Sequence, residues 1–121
     1  MKITKSYLRN NPNHIFVFGD NLKRKGYGGA AKLRDESNTY GFITKKAPNN
    51  NDESFYKPEE YKEKFEVELK RLIKDIENNP DKIYLISQFG SGLANKYGIF
   101  QKVIKPGLTY LKKYNNVKFL Y

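Results

Sequence analysis

The chain has 121 residues, no cysteine, one histidine and a net charge of +10. That length suits one domain spanning residues 1–121 around one core. The missing thiols exclude a disulfide framework and cysteine chemistry, and a lone His14 cannot build a multi-histidine metal centre, so no resident metal or cofactor is expected; a carboxylate-bound Mg²⁺ that travels with a phosphate ligand stays open, since it needs few protein ligands.

Residues 1–13 read either as an edge strand over Ile3 to Leu8 or as a short helix capped near Ser6. The opening MKITKSYLRN has no apolar stretch of the signal-peptide kind. No later run approaches the roughly 18 apolar residues of a membrane span, so a cytoplasmic protein without membrane contact is expected.

His14-Ile15-Phe16-Val17-Phe18 is nearly continuous in apolar, β-branched and aromatic residues, the pattern of a strand buried on both faces. A turn rich in Gly, Asp, Asn and Lys follows from Asp20 to Gly29, and Ala30 to Arg34 opens a short helix. Residues 40–44 form a second strand, and residues 45–57 a polar loop without periodicity.

Pro58 suits a first helical turn, with Glu59 and Glu60 at its positive end. Tyr61, Phe65, Leu69, Leu72 and Ile76 then make one apolar stripe, and Asn78-Asn79-Pro80 ends the helix. Ile83 to Ser87 repeats the buried-strand pattern, followed directly by Phe89-Gly90-Ser91-Gly92. Ile99 to Leu111 carries a further helical stripe that Pro106-Gly107 is expected to kink or split, because proline lacks a backbone donor. Val117 to Tyr121 forms a terminal strand. Alternation of strands and helices predicts an α/β three-layer sandwich: a mixed central sheet, its central strands mostly parallel, with helices on both faces.

In such sheets ligands bind beyond the carboxyl ends of the strands, which is where both glycine turns fall. Gly26-Tyr27-Gly28-Gly29 precedes a helix of small residues, so backbone N–H groups can approach a diphosphate closely, with Lys23, Arg24 and Lys25 adding charge. The spacing fits neither the Gly-x-Gly-x-x-Gly dinucleotide fingerprint nor a phosphate loop ending in Gly-Lys-Ser/Thr. Charge is distributed in blocks: residues 1–46 carry 10 basic and 3 acidic groups, 47–80 carry 6 and 9, and 81–121 carry 7 and 1. The basic blocks hold the glycine turns, which reads either as a basin for an anion or as a lysine-rich solvated surface.

The segment Asp20-Asn21-Leu22 through Gly26-Tyr27-Gly28-Gly29-Ala30 resembles the macro domain motif, and Phe89-Gly90-Ser91-Gly92-Leu93 resembles that domain's second phosphate loop. Across residues 13–121 the chain is similar to an uncharacterised macro-like family of bacteria and phages. The resemblance implies a ligand of the ADP-ribose class. Carried over, Asn21 faces the distal ribose, Gly26, Gly28 and Gly29 the diphosphate, and Gly90, Ser91 and Gly92 its other side. Gly19, Lys25, Tyr27, Gln88, Phe89, Leu93 and Tyr97 complete the expected binding set. The aspartate that holds adenine in many macro domains has no counterpart before His14, and the paired glutamates of poly(ADP-ribose) glycohydrolases are missing.

If the chain is an enzyme, it is expected to be a hydrolase of the ADP-ribosyl glycohydrolase type, with Asp20 and Asn21 as the catalytic pair beside the ribose. The same Asp-Asn pair after a strand also serves as a turn and capping device. Two alternatives stand beside this reading: a non-catalytic sponge or sensor of a nucleotide immune signal, and a nucleic-acid-binding basic domain. The last ranks lower because the aromatic residues fall mostly in strands and helix stripes that a core would claim.

Overall fold

The computed structural model describes residues 2–121. Thr4, not Ser6, caps the first helix: its hydroxyl accepts the N–H of Tyr7 at 3.0 Å, and α1 runs over Lys5–Asn10. Strands β1 (His14–Asn21), β2 (Thr39–Lys45), β3 (Ile83–Ile86) and β4 (Val117–Phe119) form a four-stranded sheet in the order β2-β1-β3-β4. All three pairings are parallel, which corrects the expected mixed sheet. The sequence contains no hairpin turn joining two strands; a helical segment separates each strand from the next, and such crossovers return the chain parallel.

Side chains alternate across β1 and divide the core into two layers. Ile15 and Val17 join Phe42, Tyr84 and Ile86 under helix α2 (Pro58–Asn78) and the segment from Ile99 to Leu111. Phe16 and Phe18 point the other way, to Ile3 ahead of α1, Leu8 of α1, and Ala31 and Leu33 of a 3-10 turn over Gly29–Leu33. Helical segments thus cover both faces of the sheet. Each fully covered leucine or isoleucine, such as Leu72 or Ile76, contributes about 2 kcal/mol of burial.

The α2 stripe is as expected except at one place. Glu68, not Leu69, is fully buried, at 2% exposure. The reason lies in β2, an edge strand whose outer backbone groups have no neighbouring strand. Glu68 Oε1 accepts the Ile43 N–H at 2.7 Å, the Tyr61 hydroxyl donates to the Ile43 carbonyl at 2.5 Å, and Arg71 donates to the Gly41 carbonyl at 2.7 Å. Helix α2 therefore supplies side chains in place of a fifth strand, closing an edge open to chain addition.

Pro106 does not split the last helical segment. A π-helical turn over Phe100–Ile104 runs into α3 (Lys105–Leu108) and a 3-10 turn over Thr109–Lys113. The Lys105 N–H reaches back five residues to the Phe100 carbonyl, and this wider turn absorbs the proline. Gly107 lies against the ring of Phe65, where a Cβ would stand 2.3 Å from Cε2. The glycine therefore serves close packing of helix on helix. Among the described residues, no helix is long and apolar enough to cross a membrane, and no group of three or more His, Cys, Asp or Glu side chains is placed to hold a metal ion.

Candidate functional site

Strand order makes the site. From β1 the chain leaves through the Gly29–Leu33 turn on one face of the sheet to reach β2, whereas from β3 it leaves through the Phe100–Lys113 helical segment on the other face to reach β4. β1 and β3 are neighbours, so their outgoing loops diverge and leave a crevice between them, the switch point at which open parallel sheets bind ligands. A cleft of about 580 Å³ occupies this position. That volume lies within the usual range for small-molecule sites, roughly 300–1,000 Å³.

Both glycine loops line the cleft. Gly19, Asp20, Asn21, Lys25, Gly26, Tyr27, Gly28 and Gly29 come from the β1 side, and Gln88, Phe89, Gly90, Ser91, Gly92 and Leu93 from the β3 side. Tyr97 does not line it, which corrects the expected binding set. Its hydroxyl donates to Asp52, and Lys96 Nζ lies 2.8 Å from the same carboxylate, tying the loop before α2 to the segment after the second glycine turn. A tyrosine five residues beyond Gly92 is carried off the cleft by the 3-10 turn over Leu93–Asn95.

The backbone of both loops has hydrogen-bonding capacity left over. Among the described residues, the N–H groups of Tyr27, Gly28 and Gly29 in one loop, and of Gly90, Gly92 and Leu93 in the other, donate to no protein acceptor. Gly90 has φ +81°, and a Cβ there would stand 2.3 Å from Ile104 Cδ1. Only glycine lets the second loop sit down on the helical segment behind it. Gly28 and Gly92, by contrast, face open space.

Asp20 is the centre of a buried ion network. It is 5% exposed, and Arg34 grips it from the 3-10 side, with Nη2 2.7 Å from Oδ1 and Nη1 donating to Oδ2 at 3.0 Å. Arg24 Nη1 donates to Oδ2 at 3.1 Å, and the Asn21 N–H to Oδ1 at 2.8 Å. Burial pushes this carboxyl up, but the hydrogen bonds from Arg34, Asn21 and Arg24, together with the Arg34 charge, outweigh it and hold Asp20 below the ordinary carboxylate value. Arg34 also donates from Nε to the Gly26 carbonyl at 2.9 Å and from Nη2 to the Lys25 carbonyl at 3.1 Å. It thereby pins the carbonyl side of the first glycine loop.

Asn21 is equally engaged. Its amide donates to the Lys25 carbonyl at 2.8 Å and its Oδ1 accepts the Lys23 N–H at 3.0 Å, closing the loop over Arg24, a non-glycine residue at φ +54°. A register shift between Asp20 and Asn21 passes over Thr44 in β2; the Thr44 hydroxyl donates to the Asp20 carbonyl at 3.3 Å. These contacts hold the expected catalytic pair as loop anchors.

Sequence reasoning named Arg34 only as a helix residue and left out Thr44, Pro48, Asn50 and Ser87, all of which line the cleft. No local pattern marks them, since Asp20 and Arg34 meet across 14 residues. Lys45 also stands on the rim, with Nζ donating to the Asn49 carbonyl at 2.8 Å over the ring of Phe55, and burial lowers its pKa. Three cations, Lys25, Arg34 and Lys45, thus line the cleft against the single carboxylate of Asp20. At its lips stand two of the most exposed large apolar side chains, Tyr27 at 58% and Leu93 at 74%, one on each loop.

A model of a family of unknown function, DUF7831, matches residues 1–96, which include both glycine loops and strands β1 to β3. The chain belongs to that family. The DUF7831 match ends within the turn that follows the second loop, so the cleft's lining falls inside it. No curated protein and no solved structure matches the chain.

Proposed function

We propose that the cleft binds an ADP-ribose-like nucleotide, its diphosphate lying between the two glycine loops. The observation that carries this reading is the pair of loops at the switch point, each with unused backbone N–H groups, facing one cleft in which cations outnumber carboxylates. Such groups donate to phosphate oxygens, in the first loop at little reorganisation cost, because Arg34 and Asn21 already hold its backbone. Tyr27 and Leu93 offer apolar surface to a base or ribose at the entrance. The resemblance of both loops to those of macro domains supplies the ligand class.

Binding without hydrolysis is favoured over an enzyme. Asp20 is ionised, buried and saturated by two arginines and a backbone N–H, which leaves it no free lone pair aimed at a water. Asn21 is spent on the loop. A sponge or sensor for a nucleotide signal fits these anchors better than a glycohydrolase.

The test is a thermal melt against ADP-ribose, ADP, NAD and cyclic ADP-ribose, followed by mass analysis of ligand released on denaturation. Stabilisation by ADP-ribose or its cyclic form is expected, about 2.7 kcal/mol at a hundredfold excess over Kd, with the ligand recovered intact. No shift with any member of the panel would remove the reading, and recovery of a cleaved ligand would restore the enzyme.

A further inference from the structure

The two long helical segments over the same sheet face differ sharply in charge. Helix α2 carries seven carboxylates and five cations along Pro58–Asn78. The Phe100–Lys113 segment carries four lysines, Lys102, Lys105, Lys112 and Lys113, and no carboxylate; indeed no acidic side chain follows Asp81. All four lysines are exposed, while Val103, Ile104, Leu108 and Leu111 turn inward to the core. None of the four takes part in an ion pair among the described residues. A lysine-rich composition acting alone would spread its cations over both helices without removing the carboxylates from one.

Aromatic rings stand among these cations. Tyr110 is 49% exposed, with Lys113 Nζ 4.3 Å from its ring centroid, and Tyr121 is 47% exposed, 6.2 Å from Phe100. The core claims most other tyrosines and phenylalanines, but it leaves these two rings about half exposed, Tyr110 beside Tyr114 and Tyr121 against Phe100 and Phe119. Just past the end of the segment, the Tyr114 hydroxyl donates to the Glu77 carboxylate of α2 at 2.7 Å.

From this placement we infer that the outer face of the Phe100–Lys113 segment is a single-stranded nucleic-acid surface, in which the lysines track phosphates and Tyr110 and Tyr121 stack on bases. Lysines alone attract any polyanion; the exposed rings set the choice, since a base has a π-face to stack and a lipid headgroup has none. The surface is separate from the cleft and does not depend on the nucleotide reading.

The test is fluorescence titration of the full chain with oligo-dT at several salt concentrations. A log–log salt slope of about −3 is expected from four neutralised phosphates, falling by about 2 in the Lys102→Gln, Lys105→Gln, Lys112→Gln triple variant, with affinity at low salt down at least tenfold. Tyr110→Ala weakens binding about tenfold, whereas Tyr110→Phe retains it. Matched loss of charge on α2, in Lys62→Gln, Lys70→Gln, Lys74→Gln, leaves binding within about twofold if the ridge is the site. An equal loss in the α2 variant, displacement of the strand by ADP-ribose, or binding to phosphatidylserine vesicles without binding to oligo-dT would each overturn the inference.

Discussion

Arg34 reaches across 14 residues of chain to clasp Asp20 with both ends of its guanidinium, and with the remaining nitrogen holds the carbonyl of Gly26. One side chain therefore links the end of the central strand to the backbone of the first glycine loop. The stability of the fold and the shape of the cleft rest on the same contact.

Replacing Arg34 should cost both. Arg34→Ala leaves the Asp20 carboxylate buried with only the half-exposed Arg24 as a charged partner, and breaking a buried pair in this way costs about 3 kcal/mol. Arg34→Lys should recover part of the charge but not the two-pronged grip. Urea denaturation measures the loss, and a nucleotide melt of the same variants should show weaker ligand stabilisation.

Asp20 also sets a pH dependence. Its folded pKa lies below the ordinary 3.8, so the unfolded chain binds the proton more readily. The contribution is complete above 3.8 and is lost as pH falls through the lower folded value. Denaturation of the wild type and of Asp20→Asn at pH steps from neutral to acid should show their difference constant above that window and shrinking within it. A difference that grew on acidification would contradict the depressed value.

Glu68 should prove structural despite its charge. Glu68→Ala leaves the Ile43 N–H of the edge strand without its acceptor and removes the partner of Arg71, at a cost of about 1–3 kcal/mol. Hydrogen exchange at the Ile43 amide should accelerate in the variant relative to amides of β1, and dimers paired through β2 are expected at high concentration.

The glycines separate folding from binding. Gly90→Ala meets Ile104 at a backbone conformation that side chains avoid, and should destabilise the chain by more than about 1 kcal/mol. Gly28→Ala enters open space on an extended backbone, φ −75° and ψ 143°, so stability should stay within about 0.5 kcal/mol of wild type. On the proposed reading the added methyl group stands in the path of the diphosphate, and the variant should weaken ADP-ribose binding at least tenfold. Calorimetric titration beside a thermal melt reads the two effects independently.

Much of this protein was decided by local pattern. The run from Ile15 to Phe18 could only be a strand covered on both sides, because no polar residue interrupts it, and the α2 stripe with Pro58 at its start and Asn79-Pro80 at its end had one helical solution. Both glycine turns followed from those strands, and the cleft lies between them. What the sequence left open required contacts between distant residues. That all four strands run parallel, that Glu68 belongs inside because an edge strand needs its acceptor, and that Asp20 and Asn21 are consumed by Arg34, Arg24 and the loop backbone are consequences of pairing across the sheet and between layers. Charge and hydrogen-bonding partners are chosen by proximity in space, and periodicity along a chain carries no record of that choice beyond the element in which each residue sits.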